Sequence, residues 1–399
     1  MSLPLPRLTV LLAATLAVSI SGGCGSGKTK TQKEEAVEQW SRARAGVMHN
    51  LAQDQFETGN FDKAAATTAD ALKIDPPNVP LKILSARIAM EQNRLDLADS
   101  QLAEARKLDP KNSSALYLSG IVAQRWQKHD QALSFYEQAA EHQPTELAYL
   151  MARAETLVLL DRRAEALACL SEKVVYFEHS ATLRDAVGQL LMQDHRYAEA
   201  ADMFRQASIL AGNDPFIRER LAMAYFQKGD HQRTIDVLAL LVTQPSHDQR
   251  GGLFAVMGES QLQLDRVLDA RVSFQRCTEL DPSLPQGWLG LTKAALAMHD
   301  LQRAENAARK GVSVAPDRAD AYLAYGYVRL RQNKLDDAMA AFRKASALDP
   351  SDSLSLCMIG EVLTRKGQPD AALTYYGQAL KINPKDELAS QLLVSAPLD

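Results

Sequence analysis

The stretch from Tyr322 to Pro350, YLAYGYVRLRQNKLDDAMAAFRKASALDP, decides how the rest of the chain is read. Ala338, Ala341, Phe342, Ala345 and Leu348 fall at i, i+3, i+4, i+7 and i+10, which is one stripe of an α-helix. Polar Gln332-Asn333-Lys334 separates that stripe from an earlier one holding Tyr322, Tyr325 and Gly326, so the stretch predicts two helices joined by a turn. Asp349-Pro350 ends the second helix, because proline has no N–H to donate and disfavours helix at the residue before it.

The pattern returns every 34 residues: Pro316, Pro350 and Pro384 are evenly spaced, as are Pro76, Pro110 and Pro144, and Pro282 joins the later set. Pro144 and Pro282 are 138 residues apart, four periods plus two, so one two-residue insertion near Pro245 to Gln249 brings both sets into one register. Ten units result, starting at residues 45, 79, 113, 147, 181, 215, 251, 285, 319 and 353. Position 20 of the unit is Ala in nine of them and Thr234 in the other, and position 8 is always Ala, Gly or Thr. Chance would put Ala at one register in about one or two of ten units. Small side chains there are expected where the two helices of a hairpin cross with backbones nearly touching, since a Leu would overpack the crossing at a cost of about 1–3 kcal/mol.

The period, together with the order of large, Gly/Ala, Ala, aromatic and Pro positions, resembles the tetratricopeptide repeat (TPR) family over residues 45–384. Trp288-x-x-Leu291, and Ala270-x-x-x-Phe274 ahead of Pro282, are close copies. Repeat 4 departs by lacking its proline and by carrying Lys173 where a small residue is usual, and repeat 6 departs at Thr234, so these two are expected to pack less regularly. The resemblance implies an all-α fold, a right-handed α-solenoid (superhelix) of about ten hairpins forming one quasi-linear domain. Lys33 to Arg44, with Trp40, is expected to extend the first helix as a cap, and residues 385–399 to form a short capping helix and tail.

The 399 residues are 46% hydrophobic and 24% charged, enough apolar material for an extended core. A formal net charge of −4 argues against a nucleic-acid partner, which would call for a basic face. Residues 1–23 read as a signal peptide: Arg7, the apolar run Leu8 to Ile20, then Ser21-Gly22-Gly23 before Cys24. Thirteen apolar residues are too few to span a bilayer. Small residues directly before a cysteine resemble the lipobox of bacterial lipoproteins, although Ser21 replaces the usual Leu. That resemblance implies a Cys24 acylated with chains such as palmitate, and a chain tethered to the bacterial cell envelope. Gly25 in the second mature position is similar to the outer-membrane sorting signal. Residues 25–32 read as a flexible tether.

Gly22 to Thr29 also spells G-x-x-x-x-G-K-T, a phosphate-binding loop in which Lys28 would hold phosphate and Thr29 a magnesium ion. Such a loop belongs to a parallel α/β sheet, and residues 45–384 are committed to helical hairpins, which leaves no strands to complete it. No G-x-S-x-G, H-E-x-x-H or paired-carboxylate constellation is present, so no enzyme, cofactor, metal or small-molecule substrate is expected. Cys169, Cys277 and Cys357 read as small core residues. His129, His195, His231 and His299 fall at positions 15 to 17, in the turns.

In the TPR family the first helices line a groove that holds protein partners through positions 2, 5, 9, 12 and 13. Carried onto this chain, those positions include Arg87, Met90, Tyr117, Met151, Met192 and Phe216, and further on Met223, Phe226, Leu262, Tyr327, Leu330 and Arg331. Polarizable Met with aromatic anchors suits an apolar peptide or partner helix. Position 5 is never Lys and position 9 never Asn, so the carboxylate clamp of chaperone-binding relatives is missing. The expected activity is a non-enzymatic scaffold in an envelope assembly such as secretion, pilus biogenesis or polysaccharide export. Two alternatives stand beside it: a cytoplasmic adaptor with an unprocessed N-terminus, and nucleotide binding at Gly22 to Thr29.

Overall fold

The computed structural model describes residues 32–245 and 247–395, and among these it holds twenty-one α-helices and no strand. The signal peptide, Cys24, residues 25–31 of the tether, the phosphate-loop motif at Gly22 to Thr29 and the last four residues lie outside the described residues, and Gln32, expected to end the tether, instead opens the first helix. Five helices, α1 (Gln32–Glu57), α2 (Phe61–Ile74), α3 (Val79–Glu91), α4 (Leu95–Leu108) and α5 (Ser113–Arg125), belong to one compact unit that ends at Gln127. A second unit starts at Lys128 with α6 (His129–His142), α7 (Leu147–Leu159), α8 (Arg163–Ser171), α9 (Ala181–Gln193), α10 (Tyr197–Leu210), α11 (Pro215–Lys228) and α12 (His231–Leu241). It continues through α13 (Gly251–Gln263), α14 (Val267–Leu280), α15 (Pro285–Ala297), α16 (Leu301–Val314), α17 (Ala319–Arg331), α18 (Leu335–Leu348), α19 (Ser353–Arg365), α20 (Pro369–Ile382) and α21 (Glu387–Ser395). Within each unit every helix packs on the next, and first helices of neighbouring repeats also meet, α1 with α3 and α13 with α15, α15 with α17 and α17 with α19.

The turn inside each repeat has one backbone solution. Position 15 takes a left-handed φ in all ten repeats, between 56° and 81°, at Gly59, Asn93, Gln127, Asp161, His195, Gly229, Asp265, His299, Asn333 and Gly367. The residue after it then donates its N–H back across the helix end, Arg94 to the Ala89 carbonyl at 2.7 Å and Asp300 to that of Ala295 at 2.9 Å. Gly, Asn and Asp tolerate that conformation best, which explains most of the turn composition. His195 and His299 occupy this position, while His129 and His231 open second helices. Five first helices start on side-chain caps: Asn78, Asn112, Ser180, Asp214 and Asp352 each accept from a backbone N–H two or three residues on.

Position 20 is fully buried in all ten repeats, Thr234 included, whose hydroxyl donates to the Asp230 carbonyl at 2.9 Å. Position 8 needs a correction of cause. A Cβ added at Gly188, Gly258, Gly326 or Gly360 would come within 2.7, 2.9, 2.6 or 2.3 Å of the ring of Phe204, Phe274, Phe342 or Tyr376. Those glycines lie under the aromatic ring of position 24 and not against bare backbone. Where position 8 is Ala, position 24 is the smaller Thr68, Leu102, Leu170 or Leu238, and Thr292 pairs with a position held by Ala308, so no ring competes with the position-8 Cβ for space.

The two irregular repeats have short second helices. α8 stops at Ser171, because the next turn would bury Lys173 where other repeats bury Ala71, Ala105 or Ala207, and Tyr176 in the following turn is exposed. α12 ends at buried Leu241, and the turn after it carries the insertion, with His247 fully buried 3.3 Å from the Glu219 carboxylate and Arg250 paired to the same group. At the N-terminal end α1 runs through the expected cap region but leaves Val37 and Trp40 exposed.

Candidate protein-binding groove

First helices of the last three repeats converge on an open groove of about 800 Å³, walled by α15, α17, α19 and α21. Its floor is apolar: Leu296, Leu323, Tyr327, Leu354, Met358, Leu388 and Leu392. Position 2 of repeat 10, Leu354, is 42% exposed, and Tyr327 is 38% exposed, so both present large apolar surface to solvent. The rim is charged with both signs: Lys293 reaches Glu259 at 3.0 Å and Arg365 reaches Glu361 at 2.7 Å, leaving Arg331 over the Tyr327 ring at 6.0 Å. The C-terminal wall packs through buried Ala389 and partly buried Leu392 and is tied to α19 by one carboxylate. Asp386 caps α21 through the Ala389 N–H at 3.0 Å and accepts the Ser353 hydroxyl at 2.6 Å. The Ser353 hydrogen bond, then that backbone bond, hold its pKa below the usual carboxylate range.

Of the twelve residues expected to face a partner, Tyr327, Leu330 and Arg331 meet in this groove, though Leu330 is only 2% exposed and belongs to the core. Phe216 and Met223 line a separate, smaller cavity of about 480 Å³ with Glu219, Arg220 and Arg250; there Arg220 binds Asp185 through two hydrogen bonds of 2.7 and 2.9 Å. Met90 is a correction: it is buried in the core of the first unit, where its sequence position promised a groove contact. Met151 and Met192 pack against the core of α7 to α11, and Phe226 sits half-buried with its ring 5.9 Å from that of His231. Arg87 lies with its guanidinium 4.6 Å from the centre of the Phe56 ring, and Tyr117 and Leu262 are half-buried on α5 and α13. Leu354 falls at the expected position 2, while Met358, Leu388 and Leu392 are members outside the expected positions. The spacing of Leu388 and Leu392 on one helical face was a readable signal, but the polar residues between them masked it.

Cys277 and Cys357 are fully buried, and burial pushes both thiols up to about 11. Among the described residues no cluster of His, Cys, Asp or Glu could hold a metal ion, and no helix is long and apolar enough to cross a membrane.

Models described as tetratricopeptide repeat match residues 55–120, 187–248, 289–353 and 354–386, together more than half of the chain. The chain belongs to the tetratricopeptide repeat family. Among solved structures, TPR chains similar to this one include the Cut9–Hcn1 hetero-tetramer of APC/C, with 15% identity over 91% of this chain and 99% of that one at a TM-score of 0.49. Yeast Tom70 is similar at 13% identity over 89% of this chain and 88% of its own, with a TM-score of 0.46. MamA matches 44% of this chain and 94% of its own at 22% identity and a TM-score of 0.38. No curated protein matches the chain in sequence. With scores this low, the assignment rests on the family matches and on the repeat geometry. TPR repeats are protein-binding modules, so the chain is a protein–protein interaction scaffold.

Proposed function

We propose that this TPR scaffold holds an apolar peptide or partner helix in the groove between α15 and α21, and does so non-enzymatically. The observation that carries this reading is the exposed pair Tyr327 and Leu354 over a continuous apolar floor contributed by four helices. Unfilled apolar surface of that extent is what an anchor residue of a partner would cover. We further propose that the scaffold is a lipoprotein, tethered through acylated Cys24 to a membrane of the bacterial cell envelope, with its repeats on the periplasmic face as part of an envelope assembly. That reading is supported by the apolar run Leu8 to Ile20 and the small residues before Cys24.

Two experiments test the two halves separately. Displayed random peptides of about 15 residues, selected on the purified chain, should carry Leu, Phe or Met at helical spacing. They should bind at least tenfold more weakly to a Tyr327→Ala/Leu354→Ala variant whose helicity is unchanged; equal binding would remove the groove. Intact mass of the protein from its native host should show an acylated Cys24 as first residue in the membrane fraction. An unprocessed Met1 in the soluble fraction would return the chain to the cytoplasm and remove the tether.

A further inference from the structure

The second helices carry a different surface. Between α14 and α16 lies an open cavity of about 900 Å³, floored by Trp288 and Leu291 of α15 and rimmed by Arg271, Arg303 and Lys310. One repeat on, between α16 and α18, a cavity of about 470 Å³ is floored by Tyr322 and Tyr325 of α17 and rimmed by Lys344 and Asp337. Arg309 and Ser313 line both, so the two cavities adjoin and repeat the same floor-and-rim arrangement.

The sequence explains why the first is open. α16 buries only Ala304, Ala307, Ala308 and Gly311, and the residues it turns toward the cavity between its charged side chains, Asn306, Ala307 and Ser313, are small or short. The Trp288 ring is held in place by its indole N–H, which donates to the Pro282 carbonyl at 2.8 Å. The charges are uneven. Asp300 is taken up by Arg303 at 3.3 Å, and Asp337 lies 3.7 Å from the buried Arg329. Among the described residues Arg271, Lys310 and Lys344 pair with no carboxylate. A chain of formal net charge −4 therefore gathers uncompensated cations beside two aromatic floors.

We propose that these adjoining cavities are a second docking site, independent of the groove on the first helices, for an acidic segment of a partner protein. Carboxylates would meet the Arg and Lys rim, where guanidinium groups bind them bidentately. Trp288 and Tyr322 hold the same repeat position on α15 and α17, which pack on each other; packed helix axes lie about 10 Å apart, a span an extended chain covers in about three residues. The recognised segment thus carries an apolar or aromatic residue at about every third position among Asp and Glu. A nucleic-acid strand is disfavoured because it would need cations well beyond these few.

The test uses the full chain and an array of immobilised peptides of about 12 residues, in which acidic content and the spacing of Leu or Phe are varied independently. Retention should rise with acidic content, peak at the three-residue spacing and weaken with added salt. Affinity for the best acidic peptide, read by fluorescence anisotropy, should fall at least tenfold in Arg271→Glu/Lys310→Glu and measurably in the size-preserving Arg271→Gln/Lys310→Gln. Tyr327→Ala/Leu354→Ala should leave it unchanged, which separates this site from the groove. Retention indifferent to acidic content, or surviving both double substitutions, would overturn the assignment. So would tighter binding of an oligouridylate of similar length, which would point to nucleic acid instead.

Discussion

Gly326 and Phe342 show how single residues hold a repeat together. The Phe342 ring lies where a Gly326 Cβ would be, at 2.6 Å, so Gly326→Ala must push the ring aside and should cost about 1–3 kcal/mol, read as a lower Tm. Adding Phe342→Leu recreates the Ala-with-Leu pairing of residues 86 and 102, and should recover most of the loss. A double variant no more stable than the single one would show that the ring is not the cause. Cys277 gives a pH signature. Burial raises its thiol pKa from 9.0 to about 11, so the folded state keeps the proton over a range where the unfolded chain has lost it. Stability from this group is complete below about pH 9 and is lost as pH rises toward 11. Cys277→Ala, which restores the residue most repeats use at that position, should flatten this part of the stability–pH curve. The periodic small residues were legible in the sequence, whereas their partner was not, because pairing position 8 with position 24 requires knowing which way the ring turns between two helices.

At the scale of the element, α21 does more than close the stack. Its cap at Asp386 ties it to Ser353 of α19, and Leu388 and Leu392 then complete the groove wall. Asp386→Ala should cost about 1 kcal/mol, speed amide exchange in α21 while sparing α14 to α18, and weaken groove-selected peptides. Unchanged exchange in α21 would show that its apolar contacts alone hold it. α8 makes the complementary point. Its early end at Ser171 follows from Lys173 falling on a buried register, so the departure visible in sequence became a shortened helix while α9 still starts on Ser180. Helix starts could be read from caps and turn residues. The exposure of Val37 and Trp40 on α1 could not, since periodicity records amphipathicity without saying whether anything covers the apolar side.

For the whole molecule, nearest-neighbour packing predicts that damage stays local. Ala98 is fully buried at the crossing of α3 and α4, so Ala98→Val should raise amide exchange through α2 to α5 and leave α15 to α20 at wild-type rates. Uniformly faster exchange along the chain would contradict such independence. Period, register, turn positions, the all-α class and the TPR resemblance are all properties of residue spacing, and one strand of text carries them in full. Which expected groove residues face solvent is another matter. Met90 and Leu330 occupy the same register as Phe226, yet the first two are buried and the third is half-buried. Exposure depends on the side chains that neighbouring repeats bring alongside, and the same holds for the cavity beside Trp288 and for the wall built by α21. Those are volumes enclosed between helices from different repeats, and they exist only once the helices are packed.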